Sequence, residues 1–499
     1  MNIFAPLVVY FKINWPKAYY FFGKMKFIKL KKFRSQLNSN PLVIKEIENQ
    51  TIDYFRTIVD RTPALINMQD WLDTSGILGC LYFLQGRMEE LNGVCQKRAE
   101  VQGSMAKVHQ FNDLEIEFLP KYLSVGSIGN YEHLDIYVKA MMLSLRPSKK
   151  LILLVDPNVS VNNTCYLNYW SSYITVIRDP LLVEMLSPLQ ARFAIPLNWY
   201  IFLREKMHKS FLALGIVREQ WIRDSCPPIL KLLDEDYERG WKCLKSFGMQ
   251  HGDWFVCVHV RESGWKDNGS SAEDFRNADI NTYTLAMKTI TEAGGWVIRM
   301  GDPTMKPLPE MHHVIDYAHS TIKSDWMDVF LCAQCRFFIA TSSGLFTFAM
   351  TFGNPVVMTN LLPTCGAYYL TSNDLFLPRI CRSKEENRLL DFRKLFSPSI
   401  GTAAVQSNYD KENIEIIANT EEDIRDLIEE MLERCNGRLV YSEEDERLQN
   451  IFSSVTTECG KQYGEEGAVV NARLGRNFLR KYGALLSTNE NSPSFVNVK

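Results

Sequence analysis

Two short stretches put anion-binding groups where strands are expected to end. "HVRESG" (residues 259–264) places Arg261 just past the apolar run "WFVCVHV". "TSSGL" (residues 341–345) sets Ser342, Ser343 and Gly344 between the apolar "RFFIA" and the helix-like "LFTFAMTF". A guanidinium offers a planar fork matched to two phosphate oxygens. Free backbone N–H groups at a helix start, with two hydroxyls beside them, suit the same kind of anion. Each feature also has a plainer reading: Arg261 paired with Glu262 at the surface, an ordinary N-cap serine, and His259 as a core histidine hydrogen-bonded to backbone. What favours the anion is that both stretches lie at carboxyl ends of strands in one sheet, where they are in position to face one diphosphate.

Three further clusters could carry chemistry. "RNADI" crowds Arg276, Asn277 and Asp279 after the polar loop "KDNGSSAEDF", as a ligand loop would. "RMGDP" again ends a strand and offers Asp302 to a ribose or sugar hydroxyl. "SVGSIGNYEHLD" brings Glu132, His133 and Asp135 to the start of a helix, where one of them can serve as general base. Its Gly126 and Gly129 form only part of a dinucleotide fingerprint. A full GxGxxG with a following acidic residue is absent, which argues against a Rossmann-type nucleotide-sugar-modifying enzyme. No DxD-type pair stands at a strand end, and the lone CxxC of Cys332 and Cys335 has no second pair, so neither a metal nor a cofactor is expected.

The elements that must position these residues follow from periodicity. Residues 51–107 read as helices, and Leu78, Gly79, Tyr82, Gly86 and Leu91 resemble one tetratricopeptide-type hairpin. The period then changes to a strand at "KYLSVG", a helix at "YEHLDIYVKAMMLSL" and strands at "KKLILLVD" and "SYITVIRD". A helical connector, "CPPILKLLDEDYERGWKCLKSFG", leads to a second series. It runs strand "DWFVCVHV", helix "NTYTLAMKTITEAG", strand "GWVIRMGD", short strand "HHVIDY", helix "SDWMDVFLCAQC", strand "RFFIA", helix "LFTFAMTFG" and strand "NPVVMTN". Strands alternating with helices predict parallel, doubly wound sheets with ligands at their carboxyl ends. The expected organisation is a helical N-terminal region over 1–117, a first Rossmann-like domain with connector over 118–240, a second over 241–410, and C-terminal helices with a disordered tail over 411–499.

At 499 residues the chain exceeds a single core, and 46% hydrophobic with 23% charged residues is the balance of an ordinary globular protein. A net charge of −2 gives no general attraction to nucleic acid. Residues 1–45 contain no Asp or Glu, however, and interleave Lys12, Lys17, Lys24, Lys26 and Lys29 with Trp15, Tyr19, Tyr20, Phe21 and Phe22. Two readings stay open: peripheral contact with an anionic membrane surface, or a helical segment whose aromatics pack on the body of the protein. The run "IFAPLVVYF" is too short to span a bilayer and lacks a signal-peptide cleavage site. The twelve cysteines sit mostly within apolar runs, a pattern of buried thiols in a reducing, cytoplasmic compartment.

"VCVHVRESG", "RNADI", "GGWVIRMGDPTMKPLP", "VIDYAHSTIKSDWMDVFLCAQCRFFIATSSGL" and "FGNPVV" together resemble a bacterial glycosyltransferase family associated with surface-polysaccharide loci, over roughly 118–378. Two related groups share parts of the pattern. The fucosyltransferases of the α1,2/α1,6/protein-O class carry an HxR element whose arginine binds the GDP diphosphate, matched here by His259 and Arg261, and a later serine pair, matched by Ser342 and Ser343. The heptosyltransferases carry a block similar to "TSSGLFTFAMTFGNPVV", with Ser342 in place of an aspartate. Their "SIGD" supplies an aspartate as base. This chain reads "SIGN", and Asn130 cannot abstract a proton, which moves the base to Glu132 or His133.

The resemblance implies a GT-B-like enzyme, with two Rossmann-type domains facing a cleft, that uses a nucleotide-diphosphate sugar. The matched blocks add Gly301, Asp325 and Thr341 to the donor-binding set of His259, Arg261, Arg276, Asn277, Asp279, Asp302, Ser342, Ser343 and Gly344. The implied acceptor is a glycan or glycolipid, reached by inverting, metal-independent transfer at the inner face of the cytoplasmic membrane. The alternative is a non-catalytic saccharide- or partner-binding protein built around the helical repeat.

Overall fold

A computed structural model describes residues 23–29, 41–60, most of 68–101, 116–119, 125–193, 200–262 apart from 205, 273–464 and 468–486. In chain order, helices α1 (Pro41–Asp60) and α2 (Met68–Leu84) precede strand β1 (Ile116–Phe118), α3 (Glu132–Met142), β2 (Lys150–Leu154), α4 (Thr164–Tyr169), β3 (Ile174–Ile177) and α5 (Pro180–Phe193). There follow β4 (Tyr200–Leu203), β5 (Lys206–Lys209), α6 (Ser210–Arg223) and α7 (Asp234–Lys245). The longest series is β6 (Phe255–His259), α8 (Thr284–Glu292), β7 (Trp296–Arg299), β8 (Val314–Ile315), α9 (Asp325–Gln334), β9 (Phe338–Ala340), α10 (Phe346–Thr351), β10 (Val356–Leu361) and β11 (Leu375–Pro378). It ends with β12 (Ile380–Ser383), β13 (Arg388–Leu389), β14 (Ile414–Ile417), α11 (Glu421–Cys435), α12 (Glu443–Gln462), β15 (Arg473–Leu474) and α13 (Arg476–Lys481).

The chain divides into two compact units, one of residues 1–122, 149–157 and 174–200, the other of 123–148, 158–173 and 201–499. In the first, β1, β2 and β3 form a parallel sheet in that order. Phe118, Leu154 and Val183 form a small core there, with Ile152 and Ile177 packed on it. Of the strand expected at "KYLSVG", residues 121–124 lie outside the described residues; the described strand just before them is Ile116–Phe118, whose Phe118 fills this core. Val125 and Gly126 stand in a turn instead. Helices α1 and α2 pack on one another through buried Phe55, Ile58, Trp71, Leu78 and Tyr82. Of the expected repeat hairpin, Leu78, Gly79 and Tyr82 lie on α2, while Gly86 and Leu91 fall outside the described residues. So do residues 1–22 and 30–40 of the basic N-terminal stretch and the tail at 487–499.

The second unit is built on a seven-stranded sheet of order β15-β11-β10-β9-β6-β7-β8, parallel throughout. Its central strands are continuous apolar runs because helices cover both faces. In β6, Phe255, Val256, Cys257 and Val258 are all buried, and β9 and β10 are buried along their full length. Each fully buried Val or Phe contributes about 1.5–3 kcal/mol to the core. Cys257, Cys332 and Cys335 act as small hydrophobes in this core, and burial pushes the Cys257 and Cys332 thiols well up. Among the described residues no helix is long and apolar enough to cross a membrane.

Strand order decides where a ligand can bind. From β6 the chain winds outward through β7 and β8, then returns along α9 to place β9 on the other side of β6 before moving on to β10 and β11. The winding reverses between β6 and β9. At such a switch point the two strands' carboxyl ends feed loops that diverge and leave a crevice. Arg261 and Ser342 stand just beyond those two ends.

Candidate functional site

The two strand ends are joined residue by residue. His259 pairs in register with Ala340, and the Thr341 amide donates to the His259 carbonyl at 3.3 Å. The Arg261 amide donates to Thr341 Oγ1 at 2.9 Å, and His259 Nδ1 lies 2.9 Å from Ser343 Oγ. Burial, reinforced by the Arg299 guanidinium, holds His259 down at about 4, against a smaller opposing pull from Asp302. The imidazole is therefore neutral at pH 7 and binds Ser343 as a neutral hydrogen-bond partner.

The serines do not cap the helix. Helix α10 opens at Phe346 with Leu345 at its N-cap, so Ser342 and Ser343 stand in the tight turn ahead of it, where the Ser343 amide donates to the Thr341 carbonyl at 2.6 Å. Ser342 Oγ accepts from the Leu362 amide at 3.2 Å, which ties this turn to the segment leaving β10. Ser343 is thus the serine turned to His259, and Ser342 is a brace.

The loop "RNAD" wraps Arg261. Arg261 Nε donates to Asn277 Oδ1 at 3.1 Å and Nη2 to Glu273 Oε2 at 3.1 Å, while the Ala278 amide donates to the Arg261 carbonyl at 2.9 Å. Arg276 shares the same Glu273 oxygen, so two guanidinia converge on one carboxylate. Glu262 does not pair with Arg261; it lies 2.7 Å from the fully buried Arg299, which also pairs with Asp316 at 3.0 Å. That ion-pair chain fixes the carboxyl ends of β6, β7 and β8 and leaves Arg261 to the loop.

Several other residues of the expected donor set are engaged by the protein itself. Asp279 accepts from the Asn281 amide as cap of the turn at Ile280–Tyr283. Gly301 has φ +149°, and a Cβ there would stand 2.3 Å from Met305 Sδ, so the turn after β7 requires glycine. Asp302 Oδ1 accepts from the Thr304 amide at 2.9 Å within that same turn. Asp325 opens α9 and accepts from the Thr164 amide at 3.3 Å.

The Glu132 helix meets the serine turn directly. A Cβ on Gly344 would lie 2.4 Å from the Gly129 nitrogen and 2.8 Å from its Cα. Gly344 is glycine because the backbone of the "SIGN" loop rests on it. Behind this contact Tyr166 stacks on Phe348 at 3.6 Å and Tyr131 meets both rings edge-on, clamping the start of α3 to α10. Since backbone has no rotamer with which to yield, Gly344→Ala is expected to cost about 1–3 kcal/mol and to lower the melting temperature. Gly129→Ala, whose Cβ would be 3.8 Å from the Gly344 Cα, is expected to be nearly neutral. Thermal melts of the two variants check this, and equal melting would contradict the close approach.

Of the three candidates for a base, Asp135 is engaged: its carboxylate is buried between Lys139 Nζ at 2.8 Å and Arg218 Nε at 3.1 Å. His133, whose Nδ1 lies 3.3 Å from the Asn130 carbonyl, is held down at about 4 by burial. Burial pushes the Glu132 carboxyl up to about 7, with Asp135 adding to the rise and Arg218 opposing it. Tyr369 senses both Glu132 and Arg276, and it stacks on Phe346 at 5.9 Å. No motif in the sequence points to Tyr369 or Arg218, because only the fold brings them beside the Glu132 helix. Among the described residues no group of three or more His, Cys, Asp or Glu side chains is placed to hold a metal ion.

No family model matches the chain, and no curated protein matches it. Two solved structures are similar in outline. One is the crystal structure of the glycosyl transferase family 9 from Veillonella parvula, with 11% identity and a TM-score of 0.32, covering 53% of this chain and 85% of that one. The other is the bacterial iron-containing dodecameric glycosyltransferase TibC from enterotoxigenic E. coli, with 14% identity and a TM-score of 0.27, covering 53% of this chain and 60% of that one. Likeness at these scores carries no argument about function, which is left to the residues of the site.

Proposed function

We propose that this chain is a Leloir-type glycosyltransferase that moves a sugar from a nucleotide-diphosphate donor to a hydroxyl of a cell-surface glycan or its lipid-linked precursor. The observation that carries the reading is the convergence, at the switch point between β6 and β9, of Arg261, Ser343 and the Gly344 turn, with Glu132 on the helix whose leading loop rests on Gly344. In this reading the seven-stranded sheet is the donor half of a GT-B-like enzyme, and the HxR element favours a GDP-sugar. Glu132 takes the proton from the acceptor hydroxyl as its oxygen attacks the anomeric carbon. The bond from that carbon to the diphosphate oxygen breaks on the opposite face, with inversion. The developing charge on the leaving diphosphate is met by Arg261 and by the Ser342 and Gly344 amides, which act as preorganised donors in place of a metal.

A thermal-shift panel of GDP-, UDP-, ADP- and CMP-sugars tests the reading. A GDP-sugar at 100 times its Kd is expected to stabilise the protein by about 2.7 kcal/mol. Absence of stabilisation by every member, together with no release of nucleotide from any, would sink the transferase assignment.

A further inference from the structure

Arg379 is the first residue beyond β11, so it emerges on the same carboxyl edge of the sheet as Arg261 and Ser342. It is 6% exposed, yet no ion pair holds it among the described residues. Its Nη2 donates to the Asn277 carbonyl, and among the described residues its Nε has no partner. The ionisable groups that act on it are Tyr283, Tyr409 and Cys381. Burial pushes all three up, Cys381 to about 12, so each is neutral near pH 7. A guanidinium stays cationic under these conditions. Among the described residues the site therefore keeps a buried positive charge without a counter-ion, an arrangement that is costly unless an anion completes it.

The position relative to Arg261 is specific. Asn277 is held by both arginines, through its Oδ1 by Arg261 Nε and through its carbonyl by Arg379 Nη2. Two guanidinia thus approach one residue from the loop that caps the crevice. Among the described residues Arg261 already has the Glu273 carboxylate, whereas Arg379 has only a carbonyl. We propose that Arg379 is a second anion-binding arginine of this site, taking a phosphate oxygen of the bound nucleotide-diphosphate sugar beside those held by Arg261. This rests on the transferase reading above.

Pyrophosphate titrated into the full chain, with melting temperatures recorded without ligand, tests the assignment. Arg379→Met is expected to bind pyrophosphate roughly 10- to 100-fold more weakly than wild type, the range for loss of one charge-assisted contact. It is also expected to melt at or above wild type, because the uncompensated cation is gone. Arg379→Lys, which keeps the charge without the fork, is expected to recover part of the affinity. Unchanged pyrophosphate affinity in Arg379→Met overturns the proposal, as does a loss in both variants accompanied by a lower melting temperature, the mark of a purely structural arginine. If Arg261→Ala weakens pyrophosphate binding and Arg379→Met does not, this inference fails while the transferase reading stands. If the wild type binds no pyrophosphate, this inference fails, and the sugar-nucleotide panel decides the transferase reading separately.

Discussion

Arg261→Ala is expected to slow sugar transfer by about 10²–10³-fold, the range for removing one preorganised donor from a developing oxyanion. The same substitution is expected to change folding stability by no more than about 1 kcal/mol, because its ion pair with Glu273 is partly exposed and such pairs contribute little. Two details keep the structural cost low. Glu273 retains Arg276 after the change, and Asn277 retains its 3.0 Å bond to Asp274 Oδ1. Arg261→Lys should fall between wild type and alanine, since an ammonium preserves the charge but cannot offer two parallel donors. Initial rates with the donor identified by the stabilisation panel, set beside melting curves, separate the two effects. Full transferase activity in Arg261→Ala would show that the diphosphate is held elsewhere.

Why this arginine could be singled out from sequence, while its bonds to Asn277 and Glu273 could not, is a matter of range. The carboxyl ends of β6 and β9 were legible because buried parallel strands are unbroken apolar runs, "WFVCVHV" and "RFFIA", and the polar residues after them stand out. Alternation of such runs with helical segments fixed the α/β class and the placement of Arg261 and residues 341–344 at one sheet edge. What each polar group binds depends on partners far along the chain. Glu262, adjacent to Arg261, turns instead to Arg299, and Ser342 reaches the Leu362 amide. Arg379 meets a carbonyl more than a hundred positions earlier, at Asn277. β13 and β15 are two residues each, and β4, β5, β12 and β14 four, too short to display a period; β4 pairs with nearby β5 and β13 with nearby β12, whereas distant pairing defines β14 and β15. The region after residue 410 read as helical and is mostly so, yet β14 pairs with β12, and β15 returns to add the seventh strand beside β11.

Glu132→Gln is the sharper test of mechanism, because Glu132 and His133 are neighbours in the same motif and differ in what their surroundings do to them. A base that must be ionised works only above its own pKa, and the Glu132 carboxyl is raised to about 7 mainly by burial. Wild-type kcat/KM is therefore expected to rise about tenfold per pH unit below 7 and to level off above it. A histidine base held at about 4 would instead give a flat profile over that range. Glu132→Gln should lower transfer by about 10²–10⁴-fold and abolish the inflection near 7. Stability moves the opposite way. A carboxyl raised from 4.5 to about 7 binds its proton more tightly in the folded state. The resulting penalty is absent below about 4.5, grows as pH rises through 7, and is complete above it. The difference, 7 − 4.5, corresponds to roughly 3 kcal/mol at most, and to about 1–2 kcal/mol once the solvent that reaches part of the side chain is allowed for. The glutamine variant should accordingly melt higher than wild type at pH 8 and alongside it at pH 4.5, while being nearly inactive at both. A stabilised but inactive protein is the signature of a group kept for chemistry at the expense of the fold. Retained activity in Glu132→Gln, or a wild-type rate independent of pH between 6 and 8, would remove Glu132 from the role of base.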